Sequence, residues 1–221
     1  LTLNADGSGN DIILQSNGST VGTLTAEGVL TATSFAGSGA ALTGVGGDIS
    51  FGGDTFGADK TIGANDAYAL SLETSGNVAM KISAAGQITK PLQPAFMVSI
   101  TSPQNNFAVA TMVTIVLDNE QFDVGSNFAS NTFTAPVTGK YQFNLIMRLN
   151  NVDTAAGYYQ MYLTTSNVTY QYTIWSGELG GDSNQGVGFG ALADMDASDT
   201  CYVQIYQGAG TAQTDVQNDT Y

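Results

Sequence analysis

Oxygen is the chain's most plentiful reactive resource. Six side chains, Asp118, Asn119, Asp123, Asp182, Asp194 and Asp196, are candidate ligands for a hard cation such as calcium, which takes carboxylate, amide and backbone oxygens. Their spacing does not follow that of an EF-hand loop, so the plain expectation for each is a solvated loop residue. Asp194, Asp196 and Asp199 lie close enough in sequence for paired-carboxylate hydrolysis of a glycoside. That stretch reads as a turn, however, and no aromatic cleft beside it is legible. Histidine is absent altogether, which removes Ser–His–Asp and Cys–His pairs along with the commonest general base. The single cysteine, Cys201, excludes an internal disulfide and a cysteine zinc cluster, and on an apolar strand it reads as a small core residue. The glycine-rich run 186–190 lacks the Lys and the helix of a phosphate loop. Catalysis is therefore not expected. Tyr158, Tyr159, Tyr162, Tyr170, Tyr172 and Trp175 could stack on sugar rings, but their strand spacing assigns most of them to a core or a subunit interface.

The elements that must position these residues follow from composition. Only 11% of the 221 residues are charged, against about 25% for an average soluble domain. Four glutamates and four lysines cannot coat even one long solvated helix. Twenty-seven glycines with abundant Thr, Ser and Asn point instead to strands and turns. The net charge of −14 repels phosphate, and the five basic residues are scattered, which excludes a nucleic-acid footprint. No apolar run approaches the roughly 20 residues that a helix needs to cross a membrane. The fold class expected is all-β.

Composition changes near Pro91 and Pro94. Residues 1–90 carry 16 of the 27 glycines but only 4 of the 21 aromatics, and 91–221 carry the remaining aromatics and the only Trp. The second part can build a core from large side chains and the first cannot. The segment 90–94 reads as a stiff extended junction, since each proline fixes φ and disfavours helix before it. Two domains are expected, 1–90 and 91–221. Within the first, an internal repeat recurs at an offset of 58. Ile12, Leu14, Gly18, Leu24, Ala26, Gly28 and Leu30 match Leu70, Leu72, Gly76, Ile82, Ala84, Gly86 and Ile88. Each copy reads as two strands around a turn at Asn17-Gly18 or Ser75-Gly76, too small to bury its own apolar face. Such units must stack on neighbours or on other chains.

Residues 28–45, GVLTATSFAGSGAALTGV, resemble the shaft repeat of tailed-bacteriophage tail fibres, in which three chains wind together. The segment 133–143 resembles the signature F-x-x-P-x-x-G-x-Y-x-F of C1q-like domains, with Phe133, Pro136, Gly139, Tyr141 and Phe143 at its fixed positions. Aromatic bulk from Phe133, Tyr141 and Phe143 is expected in the core, Pro136 should end a strand, and Gly139 should occupy a positive-φ turn. Residues 192–205 extend the resemblance, with Ser198 replacing the usual Gly. The family closes with one more strand, and this sequence stops just before it: either the sequence is cut there, or the sheet has an edge for something to cover.

Together the resemblances imply an all-β homotrimer: a β-repeat fibre shaft followed by a C1q- or tumour-necrosis-factor-like jelly roll. It is expected on a virion, outside cells, touching other tail proteins and a host-surface glycan or protein. Neither nucleic acid nor membrane insertion is expected. No cofactor is required, and calcium is possible because C1q-like trimers often bind it. Receptor contact is expected in the loops 151–157, 176–185 and 208–213, with Glu178, Asp182, Asn184, Gln185 and Gln213 as candidates. The alternative expectation is a purely structural trimer of a virion or a bacterial surface fibre. Lacking an initiator Met, the sequence reads as part of something longer.

Overall fold

Asn17-Gly18 and Ser75-Gly76 each place two consecutive residues in the left-handed region, with φ of 53° and 76° in the first pair and 51° and 75° in the second. That pairing of signs closes a two-residue hairpin whose twist matches its strands. The computed structural model describes residues 12–25, 29–32, 59, 61–180 and 184–219. It divides into two compact units, Leu1–Thr61 and Ile62–Tyr221. In the first, β1 (Ile12–Ser16), β2 (Ser19–Leu24) and β3 (Leu30–Ala32) form an antiparallel meander. In the second, β4 (Leu70–Thr74), β5 (Asn77–Ile82) and β6 (Ile88–Thr89) repeat it. Even the bulge recurs, between Leu14 and Gln15 and between Leu72 and Glu73. So does the second turn, where the Thr25 and Ser83 hydroxyls accept the Val29 and Gln87 N–H groups. Each repeat therefore has a third strand beyond the two that its sequence pattern suggested. Ile13, Leu14, Leu30, Leu72 and Ile88 remain exposed on these meanders. Most of the fibre-like segment 28–45 lies outside the described residues.

The rest of the second unit is an antiparallel sandwich. Its strands are β7 (Ala95–Ser99), β8 (Val113–Thr114), β9 (Asn119–Val124), β10 (Phe128–Ala129), β11 (Thr132–Thr134), β12 (Gly139–Asn150), β13 (Tyr158–Thr165), β14 (Thr169–Trp175), β15 (Gln185–Met195), β16 (Thr200–Gln207) and β17 (Asp215–Val216). One sheet runs β10-β11-β16-β13-β14, with β8 also on β16; another runs β15-β12-β17; β7 and β9 pair with each other. Period-2 alternation sends Phe143, Leu145, Met147 and Leu149 of β12 and Ala191, Ala193 and Met195 of β15 inward. There they share one core with Tyr159, Met161 and Leu163 of β13 and Cys201, Val203 and Ile205 of β16. The chain is all-β, with a single 3-10 turn at Ser176–Glu178 among the described residues.

One apolar run pairs over less of its length than its residue types suggest, and the expectation for Gly139 is corrected. The apolar run 109–117 is strand only at Val113–Thr114. Ala110 turns the chain at φ 52°; beyond β8 the Ile115 N–H still reaches the Val203 carbonyl of β16 at 3.0 Å, and the next two residues bond to side chains. The Gln104 amide donates to the Val116 carbonyl at 2.9 Å and accepts its N–H at 3.1 Å, while Asn131 Oδ1 accepts the Leu117 N–H at 2.8 Å. Gly139 lies outside the left-handed region and opens β12 directly. The turn before it is held by Tyr141, whose hydroxyl donates to the Val137 carbonyl at 2.6 Å. Ser198 does take the positive φ, 76°, at the position where its motif usually has Gly.

β12 pairs with β15 from Gly139 to Leu149, but its other side pairs only at Leu149 and Asn150, with β17. Among the described residues, the rest of that edge has no partner strand. Beside it lies a groove of about 710 Å³ lined by β7 (Phe96, Val98), Phe122 and the β12 edge (Tyr141, Phe143, Leu145).

Candidate functional site

On β13, Tyr158, Gln160, Tyr162 and Thr164 alternate with Tyr159, Met161, Leu163 and Thr165, which face inward; the first set points away from the core, with Tyr162 buried among its outer neighbours. The register places Trp175, Thr173, Gln171 and Thr169 of β14 directly opposite that first set. On the other side, Tyr206, Gln204 and Tyr202 of β16 pair with Gln160, Tyr162 and Thr164, and Thr114 of β8 follows Gln204. Across β14, β13, β16 and β8 the outer face of this sheet is thus built from aromatic, amide and hydroxyl side chains, with no Asp, Glu, Lys or Arg among them. In a chain of net charge −14 that is a marked local composition.

Its side chains are already organised. The Tyr158 ring meets Trp175 edge-on at 6.1 Å and stacks with Tyr206 at 6.1 Å. A Cβ at Gly208 would fall 2.6 Å from the Tyr158 ring, so glycine is what lets that ring lie over the backbone after β16. The Tyr162 hydroxyl donates to Gln160 Oε1 at 2.6 Å, and Gln160 Nε2 donates to Thr173 Oγ1 at 3.2 Å. Gln171 Nε2 donates to the same Thr173 oxygen at 3.2 Å, and Thr164 Oγ1 to Gln204 Oε1 at 3.3 Å. Burial raises the Tyr162 pKa, helped by the neighbouring Tyr158 and Tyr206 phenols, which keeps this phenol neutral. Trp175 is 59% exposed at the end of the row.

Two expected contact loops flank that end: 176–185 begins immediately after Trp175, and 208–213 begins at Gly208. The second is clamped. Asp153 Oδ2 accepts the Thr211 and Ala212 N–H groups at 2.8 and 2.9 Å, and Oδ1 accepts that of Ala155 at 2.8 Å. These backbone donors, Ala212 first, hold the Asp153 carboxyl below its ordinary pKa. Gly210, at φ 96°, passes so close that a Cβ would lie 2.2 Å from Asp153 Oδ2. The buried Gln207 adds donations from Nε2 to the Ala209 and Ala212 carbonyls at 3.1 and 2.8 Å.

The sequence candidates fall in several places. Tyr158, Tyr162 and Trp175 lie on the outer face, whereas Tyr159 is fully buried and Tyr172 stacks on Phe189 at 6.2 Å. Tyr206, Gly208 and Asp153 were not singled out. The alternation Tyr202, Gln204, Tyr206 was the available signal for the first. Glu178, Asn184 and Gln213 are exposed, Gln185 opens β15, and Asp182 lies outside the described residues. The cation candidates disperse and engage the chain's own groups. Asp118 Oδ1 accepts the Thr101 N–H at 2.7 Å, which lowers its pKa. Asn119 donates to Ser99 Oγ at 2.9 Å, and Asp123 Oδ2 accepts the Phe128 N–H at 2.8 Å. Asp194 pairs with Lys140, and Asp196 accepts a 3.4 Å hydrogen bond from the Thr138 hydroxyl. Among the described residues no three His, Cys, Asp or Glu side chains converge on a metal position. Of the motif residues, Phe133 and Phe143 are buried, with ring centroids 5.6 Å apart, and Tyr141 packs against that core from its rim.

No protein-family model matches the chain. No curated protein matches it either. Among solved structures, it is similar to the globular domain of zebrafish complement 1qA protein, at 18% identity and a TM-score of 0.40, over 56% of this chain and 91% of that one. It is also similar to an exo-beta-1,3-galactanase from Phanerochaete chrysosporium solved with galactose, at 12% identity and a TM-score of 0.22, over 62% of this chain and 31% of that one.

Proposed function

We propose that this chain is a trimeric fibre protein of a viral tail, with residues 1–90 as shaft and a C1q-like jelly roll as the tip that contacts the host surface. The observation that carries this reading is the uncharged aromatic face ending at Trp175, bordered by the loops 176–185 and 208–213. Exposed aromatics on a rigid sheet supply contact area at little conformational cost, while loops at the sandwich end reach a partner first. Trimer formation is supported by the apolar side chains that each meander leaves in water. Binding and scaffolding are the chain's work in this reading, not catalysis, and no resident cofactor is required. Calcium, if it serves the trimer, would draw on oxygens such as those of Asp118, Asp123, Asp194 and Asp196.

A structural reading has one observation in its favour. The outward positions of β15 include Gly186, Gly188 and Gly190, which with the exposed Ile146 and Leu192 make a low surface between the polar Gln142, Asn144 and Arg148, suited to packing copies together. Adsorption separates the two readings. Purified chain should compete with particle adsorption, and charge-neutral substitutions at Asn184 or Gln213 should weaken that competition without lowering the melting temperature. Normal adsorption in the presence of excess chain would leave only the structural role.

A further inference from the structure

We infer that the outer face of β14, β13 and β16 is a binding site for neutral carbohydrate, seated on Trp175, Tyr158 and Tyr206. The inference rests on the surface-contact reading above and names the chemical class of what is contacted. Sugar rings present apolar C–H faces and a dense rim of hydroxyls, so they call for aromatic platforms interleaved with amides and hydroxyls. Here Trp175, Tyr158 and Tyr206 form the platform, and Gln160, Gln171 and Thr173 supply donors and acceptors in adjacent register positions. From β14 to β16 the face spans two strand spacings, roughly 10 Å, the reach of a disaccharide or trisaccharide.

Charge selects among polymers. An anionic polysaccharide would have to approach a chain of net charge −14 and find no basic side chain on this face. A cationic ligand would find no carboxylate there. A polypeptide partner would favour an apolar centre, whereas the middle rows of this face are Gln160–Thr173 and Tyr162–Gln171, linked by hydrogen bonds. Those bonds also fix the amides before a ligand arrives, as does Gly208 for the Tyr158 ring, so little ordering is left to binding.

Trp175 is the only tryptophan in the sequence, so its fluorescence reports on this face alone. The full chain should be titrated with a panel of neutral gluco-, galacto- and manno-oligosaccharides, with a sulfated and a sialylated oligosaccharide as comparison. At least one neutral probe should shift or quench the emission in a saturable way, and the anionic ones should not. Tyr206→Ala and Gly208→Ala should weaken binding at least tenfold with an unchanged melting temperature. Glycan-conjugated beads, read without fluorescence, extend the test to Trp175→Ala. An unchanged emission across the neutral panel, or undiminished binding by all three variants, overturns the site. Competition with adsorption separates this result from the broader reading. If Trp175→Ala keeps its binding to glycan beads and still competes fully, the surface is contacted elsewhere and the sugar site falls. If the face binds sugar yet the chain never competes, the sugar site stands and host attachment falls.

Discussion

Cys201 shows how one side chain reports on the core. Its thiol is buried between the two sheets, and burial alone pushes its pKa from 9.0 up to about 12. The unfolded chain releases this proton near the ordinary value while the folded chain keeps it. Stability is therefore intact below pH 9 and is lost progressively between pH 9 and about 12. The buried Tyr159 phenol is raised by burial too and acts in the same direction. Cys201→Ala should flatten part of this alkaline loss in a melting-temperature series, and native Cys201 should resist iodoacetamide at pH 8 but react once unfolded. Rapid native labelling would place the thiol at the surface. Asp153 is the opposite kind of group, a depressed carboxyl whose stabilising contribution is present above its ordinary pKa and is lost as pH falls through its folded value.

Among the elements, β12 lies inside its sheet yet is paired very unequally on its two sides. It carries a full ladder to β15 and two residue pairs to β17. Backbone groups on an unpaired edge bond to water and exchange readily, whereas ladder amides open only with the sheet. Across 139–146, alternate amides should therefore exchange orders of magnitude faster than their neighbours in native-state hydrogen exchange of the isolated chain. Uniform protection along this stretch would mean that another strand covers the edge. The adjoining groove contributes to the same asymmetry, because Phe96, Tyr141 and Phe143 line it as well as the core.

For the whole molecule, the deciding quantity is apolar surface left in water. Ile13, Leu14, Leu30, Leu72 and Ile88 on the meanders and Ile146, Leu192 and Trp175 on the sandwich are exposed in the single chain. A monomer with this surface and two three-stranded meanders is marginal, and burial between copies is the physical remedy. Light scattering of the purified chain should give three times the mass of 22.8 kDa. A clean monomer that keeps its β signal would refute the trimer. Leu72→Ser, on an exposed meander strand, should shift the population toward lower mass while leaving the aromatic core's near-ultraviolet signal in place.

Much of the architecture was legible from local rules. Asn17-Gly18 and Ser75-Gly76 are turn dipeptides whatever surrounds them, and the 58-residue offset carried the same meander, including its bulge, into both copies. Alternation along 139–150 determined which side chains face the core, because a strand has only two faces. What sequence alone left open depends on partners distant in the chain. Where β8 stops was decided by Gln104 and Asn131, whose side chains took the backbone bonds of Val116 and Leu117. Which of the tyrosines are exposed followed from register: Tyr158 and Tyr159 are neighbours, yet one joins Trp175 outside and the other is wholly buried. The outer face exists because β16, separated by β15 from the consecutive β13 and β14, lies beside β13. Tyr206 and Gly208 acquire their relation to Tyr158 only through that arrangement. Residue types determined that this chain would be β-rich, acidic and without histidine chemistry. The tertiary structure alone decided where its uncharged aromatics meet, since strand pairing joins residues that sequence distance separates.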